Sequence, residues 1–184
     1  MKFLSVYNAN CIWVACSKND NGLYYSTDGK TWTQSNITSG NFNSVYNANG
    51  IWVVGSNSNT GLYYSTDGIT WTKSNVIGGQ FYSLYNANGI WVAGSNTGLY
   101  YSTDCITWTN SNITGGQFYS IYNANGIWVA GCYGCLYYST DGITWTQSNI
   151  TSGEFFYSVY NANGIWVAGS NGKGLYYSVT WEAS

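Results

Sequence analysis

The chain repeats two short phrases five times, and this repetition constrains its fold more than any other feature. Tyr-Asn-Ala-Asn begins at Tyr7, Tyr46, Tyr85, Tyr122 and Tyr160, at intervals of 39, 39, 37 and 38 residues. Leu-Tyr-Tyr-Ser keeps nearly the same interval, from Leu23, Leu62, Leu99, Leu136 and Leu175. A repeat of this length is one supersecondary unit that cannot bury its own apolar face and stacks on further copies. We therefore predict one repeat domain over 1–184, with copies at about 1–39, 40–78, 79–115, 116–153 and 154–184.

Within one copy, turn signals separate four short apolar runs. In the second copy, strands are predicted at 42–46, 51–54, 62–65 and 69–72, and Asn49-Gly50 is a turn of the kind that reverses a hairpin. The runs show no helical period. The second and third strands carry apolar side chains at consecutive positions, which implies burial on both faces.

Four-stranded sheets that are each sandwiched between two others favour a β-propeller. We predict an all-β, five-bladed β-propeller with four antiparallel strands in each blade. An open stack of the same copies is the main alternative. The next alternative is a fragment of a larger ring that another chain completes.

A recurring turn phrase joins the predicted third and fourth strands in the first four copies, and only a remnant of it is present in the fifth. Ser26-Thr27-Asp28-Gly29-Lys30-Thr31-Trp32, with copies at 65–71, 102–108 and 139–145, resembles the Asp-box of BNR and sialidase-type propellers. That family's pattern is Ser-x-Asp-x-Gly-x-Thr-Trp, so one residue is missing here, and Cys105 replaces the Gly of the third copy. The resemblance implies a propeller hairpin in which four aspartates are structural turn residues, namely Asp28, Asp67, Asp104 and Asp141.

The same resemblance argues against enzyme activity. Sialidases bind their substrate's carboxylate with an Arg triad and use a Tyr–Glu pair as nucleophile, whereas this chain has no Arg and no His. Its Glu residues are Glu154, in a connection, and Glu182, near the end. Glycoside hydrolysis generally needs two carboxylates that face one bond, and turn aspartates in separate copies do not provide them. We predict no catalytic residues and no enzyme activity.

Charge and cysteine usage exclude further classes of function. The net charge is −2 and five scattered Lys residues supply all the positive charge, so we expect no nucleic-acid partner. No apolar run is long enough for a membrane helix, and the first residues become polar too early for a signal peptide. We expect a soluble monomer with some tendency to self-associate, and localisation stays open.

Two of the five cysteines form a local pair, Cys132-Tyr133-Gly134-Cys135. Such spacing allows a disulfide or half of a zinc site, but zinc needs two further ligands, and neither a second pair nor a His is present. We favour plain thiols and predict no metal and no cofactor.

The repeated surface predicts a multivalent binding module. Aromatic rings stack on sugar C–H groups, and Asn, Ser and Thr supply neutral hydrogen bonds, so a lectin-like glycan binder is one hypothesis. Its candidate residues are the turn asparagines Asn47, Asn49, Asn86, Asn88, Asn123, Asn125, Asn161 and Asn163. The alternative is that these asparagines only build the hairpin turn. The alternative functions are a protein-interaction or purely structural propeller, or a recently amplified or engineered repeat without a defined ligand.

Overall fold

The structure, a computed structural model, describes residues 2–19, 21–76, 78–172 and 174–179. In these residues the chain forms β-strands, turns and bends, and no helix. Every recorded strand pairing is antiparallel. The predicted all-β class is therefore confirmed. No helix that could span a membrane occurs in this part of the chain.

The first three copies each form one four-stranded sheet with neighbouring strands in chain order. The first sheet contains β1 (Lys2–Ala9), β2 (Ile12–Lys18), β3 (Leu23–Ser26) and β4 (Thr33–Gln34). The second contains β5 (Phe42–Ala48), β6 (Ile51–Ser56), β7 (Leu62–Ser65) and β8 (Thr72–Lys73). The third contains β9 (Phe81–Ala87), β10 (Ile90–Ser95), β11 (Gly98–Ser102) and β12 (Thr109–Asn110).

In each of the first three copies the fourth strand has only two residues and begins later than the sequence pattern predicts. In the second copy it covers only Thr72–Lys73, because the N–H groups of Ile69 and Thr70 donate to the Asp67 carboxylate instead of to a neighbouring strand. The turn therefore takes up residues that the sequence assigns to a strand.

The fourth and fifth copies share one five-stranded sheet, which differs from the predicted five separate blades. Its strands are β13 (Phe118–Ala124), β14 (Ile127–Ser139), β15 (Thr146–Ala162), β16 (Ile165–Ser170) and β17 (Gly174–Ser178). The long strands β14 and β15 stay paired past the end of the fourth copy, with Tyr133 opposite Phe155 and Cys135 opposite Thr151. The described residues thus form four sheets. The counterpart of the fourth strand in the fifth copy, at 180–181, lies outside them.

Two compact units divide the described residues. One comprises Met1–Leu84 with Ser102–Trp108, and the other comprises Tyr85–Tyr101 with Thr109–Ser184. In the first unit the side chains of Val14, Leu23, Phe42, Val45 and Trp71 form a buried cluster. The second unit repeats this cluster twice, with Val92, Leu99, Phe118 and Ile121 in one and Val129, Leu136, Phe156 and Val159 in the other.

Each cluster joins two consecutive copies. A Val and a Leu of one sheet pack against the first-strand Phe and the following aliphatic residue of the next copy. In the second copy a glycine in the second strand permits this approach, since a Cβ at Gly55 would lie 2.8 Å from the Cβ of Phe81. The first copy has the buried Cys16 at this position, within the cluster that contains Phe42. Gly131 meets Phe156 in the same way, with its carbonyl oxygen at 2.8 Å. Stacking of copies thus buries the apolar faces, as the repeat length predicts.

Candidate ligand-binding site

Each of the four turn aspartates accepts hydrogen bonds from residues of its own hairpin turn. The Oδ1 atom of Asp28 accepts hydrogen bonds from the Ser26 hydroxyl at 2.9 Å and from the N–H groups of Lys30 and Thr31 at 2.7 Å each. The backbone N–H groups of Thr31 and Lys30, followed by the Ser26 hydroxyl, lower the pKa of Asp28 to about 2. The same three bonds recur at Asp67, Asp104 and Asp141. These carboxylates hold the turns through hydrogen bonds that their Oδ1 atoms accept.

The eight candidate asparagines fall into two groups. One group is exposed, has a left-handed backbone with φ of 52° and precedes a Gly that is also left-handed, namely Asn49, Asn88, Asn125 and Asn163. A two-residue hairpin turn of type I′ requires this pair of positive φ values. In the other group the side-chain nitrogen is buried without a hydrogen-bond partner, namely Asn47, Asn86, Asn123 and Asn161. A ligand in solution reaches the first group and not these nitrogens.

A different set of residues forms an open cleft in the second unit. Its walls are Gly116, Gln117, Tyr133 and Phe155, and its volume is about 430 Å³. The rings of Tyr133 and Phe155 have centroids 4.6 Å apart. Because Tyr133 is 56% exposed, one face of this pair is open to solvent.

Two further tyrosines extend the aromatic surface beside the cleft. Tyr157 is 51% exposed, and its ring lies nearly parallel to that of Phe155, with centroids 5.6 Å apart and an angle of 10°. The two residues are separated by one position on β15, so their side chains leave the same face of the strand. Tyr119 touches both rings, at 5.5 Å from Phe155 and 5.0 Å from Tyr157. We call Tyr119, Tyr133, Phe155 and Tyr157 the aromatic platform.

Neutral polar groups flank the platform. The hydroxyl of Tyr119 donates to the side-chain oxygen of Gln117, and the N–H of Tyr133 donates to the Gln117 carbonyl oxygen at 3.3 Å. The four residues that line the cleft carry no charge. The site can therefore offer ring faces and amide or hydroxyl hydrogen bonds, but no ionic contact.

Backbone geometry places Tyr133 over the cleft. Gly134 has φ of 82°, which favours glycine, and a register shift between Tyr133 and Cys135 interrupts the pairing of β14 with β15. The structure joins Cys132 and Cys135 in a disulfide, with their Cα atoms 5.4 Å apart. The expectation of plain thiols is therefore corrected, since the tight turn at Gly134 brings the two side chains together. The bridge closes a loop whose tip is Tyr133.

The platform arises where the fourth and fifth copies depart from the repeat. Tyr133 stands where the second, third and fifth copies have Asn57, Asn96 and Asn171, and Phe155 stands where the second, third and fourth copies have Asn41, Gln80 and Gln117. The first copy has Lys18 and Lys2 at these two positions. The two departures face each other in register across β14 and β15. The features that the copies share do not indicate this site, although both substitutions are visible in the sequence once the copies are aligned.

The described residues contain no group of three or more His, Cys, Asp and Glu side chains that could hold a metal ion. Among the cysteines outside the bridge, burial raises the pKa of the Cys16 thiol well above its ordinary range. Burial, with the neighbouring Asp104 charge, raises the pKa of Cys105 to about 12. A thiol that stays protonated is a poor nucleophile and a poor metal ligand.

Neither a protein-family model nor a curated protein matches the sequence. Solved structures do match in fold. The computationally designed Ika8 protein aligns with a TM-score of 0.73 and 12% identity, over 91% of this chain and 55% of that one. An ancestral GH74 enzyme aligns with a TM-score of 0.76 and 16% identity, over 91% of this chain and 27% of that one. YCF48 bound to D1 peptide aligns with a TM-score of 0.69 and 16% identity, over 96% of this chain and 63% of that one.

These matches show a propeller-type repeat fold. At 12–16% identity they show the fold alone, and the chain spans between about a quarter and two thirds of the length of these three proteins. One of these proteins is an enzyme and one is bound to a peptide, so the fold itself is compatible with more than one function.

Proposed function

We propose that the chain is a non-enzymatic binding module that takes a neutral carbohydrate at the aromatic platform. The observation that carries this proposal is the in-register pair of Tyr133 and Phe155, whose rings lie 4.6 Å apart beside an uncharged cleft. Tyr133 breaks the repeat and is more than half exposed, so it contributes little to the core. The pair does create a surface on which a ligand can stack.

The chemistry of the platform suits a sugar ring. A pyranose presents an apolar C–H face and a rim of hydroxyl groups, which match exposed aromatic faces and neutral hydrogen-bonding groups respectively. The amide of Gln117 and the hydroxyls of Tyr119 and Tyr133 supply the polar groups, each bond adding a net of about 1 kcal/mol. One such open site corresponds to weak binding, with a Kd on the order of 1 mM.

The lectin-like reading of the repeated turn asparagines stays a prediction beside this one. Equivalent weak sites in several copies would add avidity for a polymeric glycan, and the exposed group at Asn49, Asn88, Asn125 and Asn163 is placed to contribute. A monosaccharide would then bind only at the platform, because avidity requires a ligand that spans several copies.

A peptide is the second candidate ligand, favoured by the similarity to YCF48 bound to D1 peptide. Proline-rich segments in the polyproline II conformation bind in aromatic-lined grooves, and the platform has that composition. The absence of charge in the cleft lining fits either ligand, so the experiment includes both.

The test is titration of the purified chain with a panel of neutral oligosaccharides and with proline-rich peptides, followed by NMR or calorimetry. Two variants restore the residues of the other copies, Tyr133→Asn and Phe155→Gln, and both are expected to fold because those residues occupy the same positions elsewhere. Each should weaken oligosaccharide binding about tenfold.

Ile106→Lys is the matched control, since Ile106 is exposed outside the platform and its counterpart in the first copy is Lys30. This variant should bind as the unmodified chain does. Binding of peptides alone would replace the carbohydrate by the second candidate. Absence of binding in both panels, or equal binding by Tyr133→Asn, would refute the platform as a ligand site.

A further inference from the structure

We propose that the first and fifth copies carry complementary halves of one interface, and that this interface binds a second copy of the chain. The proposal concerns surfaces other than the aromatic platform and does not rest on the proposed carbohydrate ligand. It starts from apolar side chains that are buried in internal copies and exposed in the first and fifth.

The first copy exposes the residues that internal copies insert into their predecessor. Phe3 is 44% exposed and Val6 is 54% exposed. Their counterparts are all buried, namely Phe42, Phe81, Phe118 and Phe156 for Phe3, and Val45, Leu84, Ile121 and Val159 for Val6. We call Phe3 and Val6 the leading face.

Phe3 already has the orientation that its counterparts use. Its ring contacts Tyr24 edge-on with centroids 5.7 Å apart. Phe118 contacts Tyr137 in the same manner at 5.5 Å, and Phe156 contacts Tyr176 at 5.3 Å. The leading face is therefore preorganised for the contact that the internal copies make.

The fifth copy exposes the opposite half. Leu175 is 76% exposed and Val167 is 37% exposed, although the equivalent Leu and Val of every other copy are 0–1% exposed. Val167 pairs with Tyr177 and Gly169 pairs with Leu175, so these four residues share one face of the β16–β17 hairpin. We call them the trailing face.

Gly169 is the position at which a Phe is missing. A Cβ on the equivalent glycines would meet the next copy's Phe, as Gly94 meets Phe118 at 2.7 Å. Among the described residues, a Cβ at Gly169 would meet Ser158 and Leu175 of the same copy within 4 Å, and no residue of another copy. The trailing face thus has the shape of a receptor for a first-strand Phe, and the leading face presents one.

The interfaces between consecutive copies inside the chain indicate which partner covers the trailing face. Three buried clusters join a Val and a Leu of one copy to the Phe and aliphatic residue of the next, and each cluster is this same pair of faces. A second chain supplies a leading face for the trailing face, with the side chains that the internal copies use. The contact is heterologous, because two different faces meet, so the chains pair head to tail. The charged fraction of 7% opposes such association only weakly.

Sedimentation velocity and light scattering test the proposal between about 1 and 100 μM chain. The unmodified protein should exceed the monomer mass of 20.2 kDa, increasingly so at higher concentration. Val6→Asp in the leading face and Leu175→Asp in the trailing face should each weaken association at least about tenfold. Ile106→Asp, which adds the same charge at an exposed residue outside both faces, should leave the association unchanged.

Mixing the two interface variants gives the decisive result. Val6→Asp keeps its trailing face and Leu175→Asp keeps its leading face, so an equimolar mixture should form 1:1 pairs that grow no further. Circular dichroism and thermal unfolding of each variant establish that it is folded. A monomeric unmodified chain at all concentrations, as expected for a closed five-bladed ring, would overturn the proposal. A folded mixture that forms no pairs would overturn it as well.

Discussion

Asn36 and Trp71 are joined by two hydrogen bonds that cross from the first copy to the second. The Asn36 amide nitrogen donates to the Trp71 carbonyl oxygen at 3.0 Å, and the Trp71 N–H donates to the Asn36 side-chain oxygen at 2.9 Å. The same bidentate contact joins Asn75 to Trp108 and Asn112 to Trp145. A neutral side chain therefore replaces strand pairing where two copies meet, and it satisfies the backbone of a buried Trp.

Asn112→Ala is expected to lower the free energy of unfolding by about 2–3 kcal/mol, because it removes two hydrogen bonds and leaves the Trp145 backbone groups unpaired. Urea unfolding monitored by Trp fluorescence measures the change. Asn110→Ala, an exposed position nearby, should change stability by no more than about 0.5 kcal/mol. Equal effects of the two substitutions would show that the contact between copies adds nothing.

Cys11→Gly is expected to stabilise the protein by about 1 kcal/mol. Cys11 is exposed and has φ of 61°, a left-handed conformation that costs a residue with a Cβ about 1–2 kcal/mol. The internal copies have Gly50, Gly89 and Gly126 at this turn. Cys11→Ala removes the thiol but keeps the Cβ, so urea unfolding should show no comparable gain. A gain of similar size in Cys11→Ala would point to the thiol and not to the backbone.

Acid is expected to destabilise the protein between about pH 4 and pH 2. The folded state lowers the pKa of Asp28 to about 2, and backbone hydrogen bonds, with Thr107 first, lower the pKa of Asp104. A carboxyl with a depressed folded pKa stabilises the fold above its unfolded pKa of about 4, and this contribution is lost as the pH falls towards the folded value. The urea midpoint should hold from pH 7 to about 5 and then decline. Asp28→Asn removes one titrating group and should make the decline shallower; an identical profile would contradict the assignment.

Opening the Cys132–Cys135 bridge is expected to weaken ligand binding at the platform more than it weakens the fold. The bridge closes a short loop, so its loss should cost about 2 kcal/mol of stability or less. Tyr133 at the loop tip would lose its fixed position, and affinity should fall about threefold to tenfold.

Titration of Cys132→Ser measures the effect of the bridge, and Ser is the residue of the other copies at Ser56, Ser95 and Ser170. Addition of a reductant to the unmodified protein should reproduce the result. If affinity is unchanged while the protein stays folded, the bridge does not position Tyr133.

Local signals predicted much of this fold because each depends on a few neighbouring residues. The Asn-Gly turns, the apolar runs and the repeat interval indicated antiparallel hairpins stacked on one another, and the sheets and clusters agree with that interpretation. The boundary of the fourth strand was predicted wrongly, because hydrogen bonds to Asp67 compete with the ladder for the N–H groups of Ile69 and Thr70.

The aromatic platform depended on tertiary structure instead. Tyr133 and Phe155 are distant in the sequence, and a shift of one residue in the register of β14 and β15 would direct one of them to the opposite face. The exposure of Phe3 and Leu175 could not be predicted from the sequence either, since both residues have the same identity as their buried counterparts in other copies. The sequence by itself determined which elements form and what each copy can bury. Only the tertiary structure decided which faces are covered, because burial depends on the neighbour that packs against a residue and not on the residue alone.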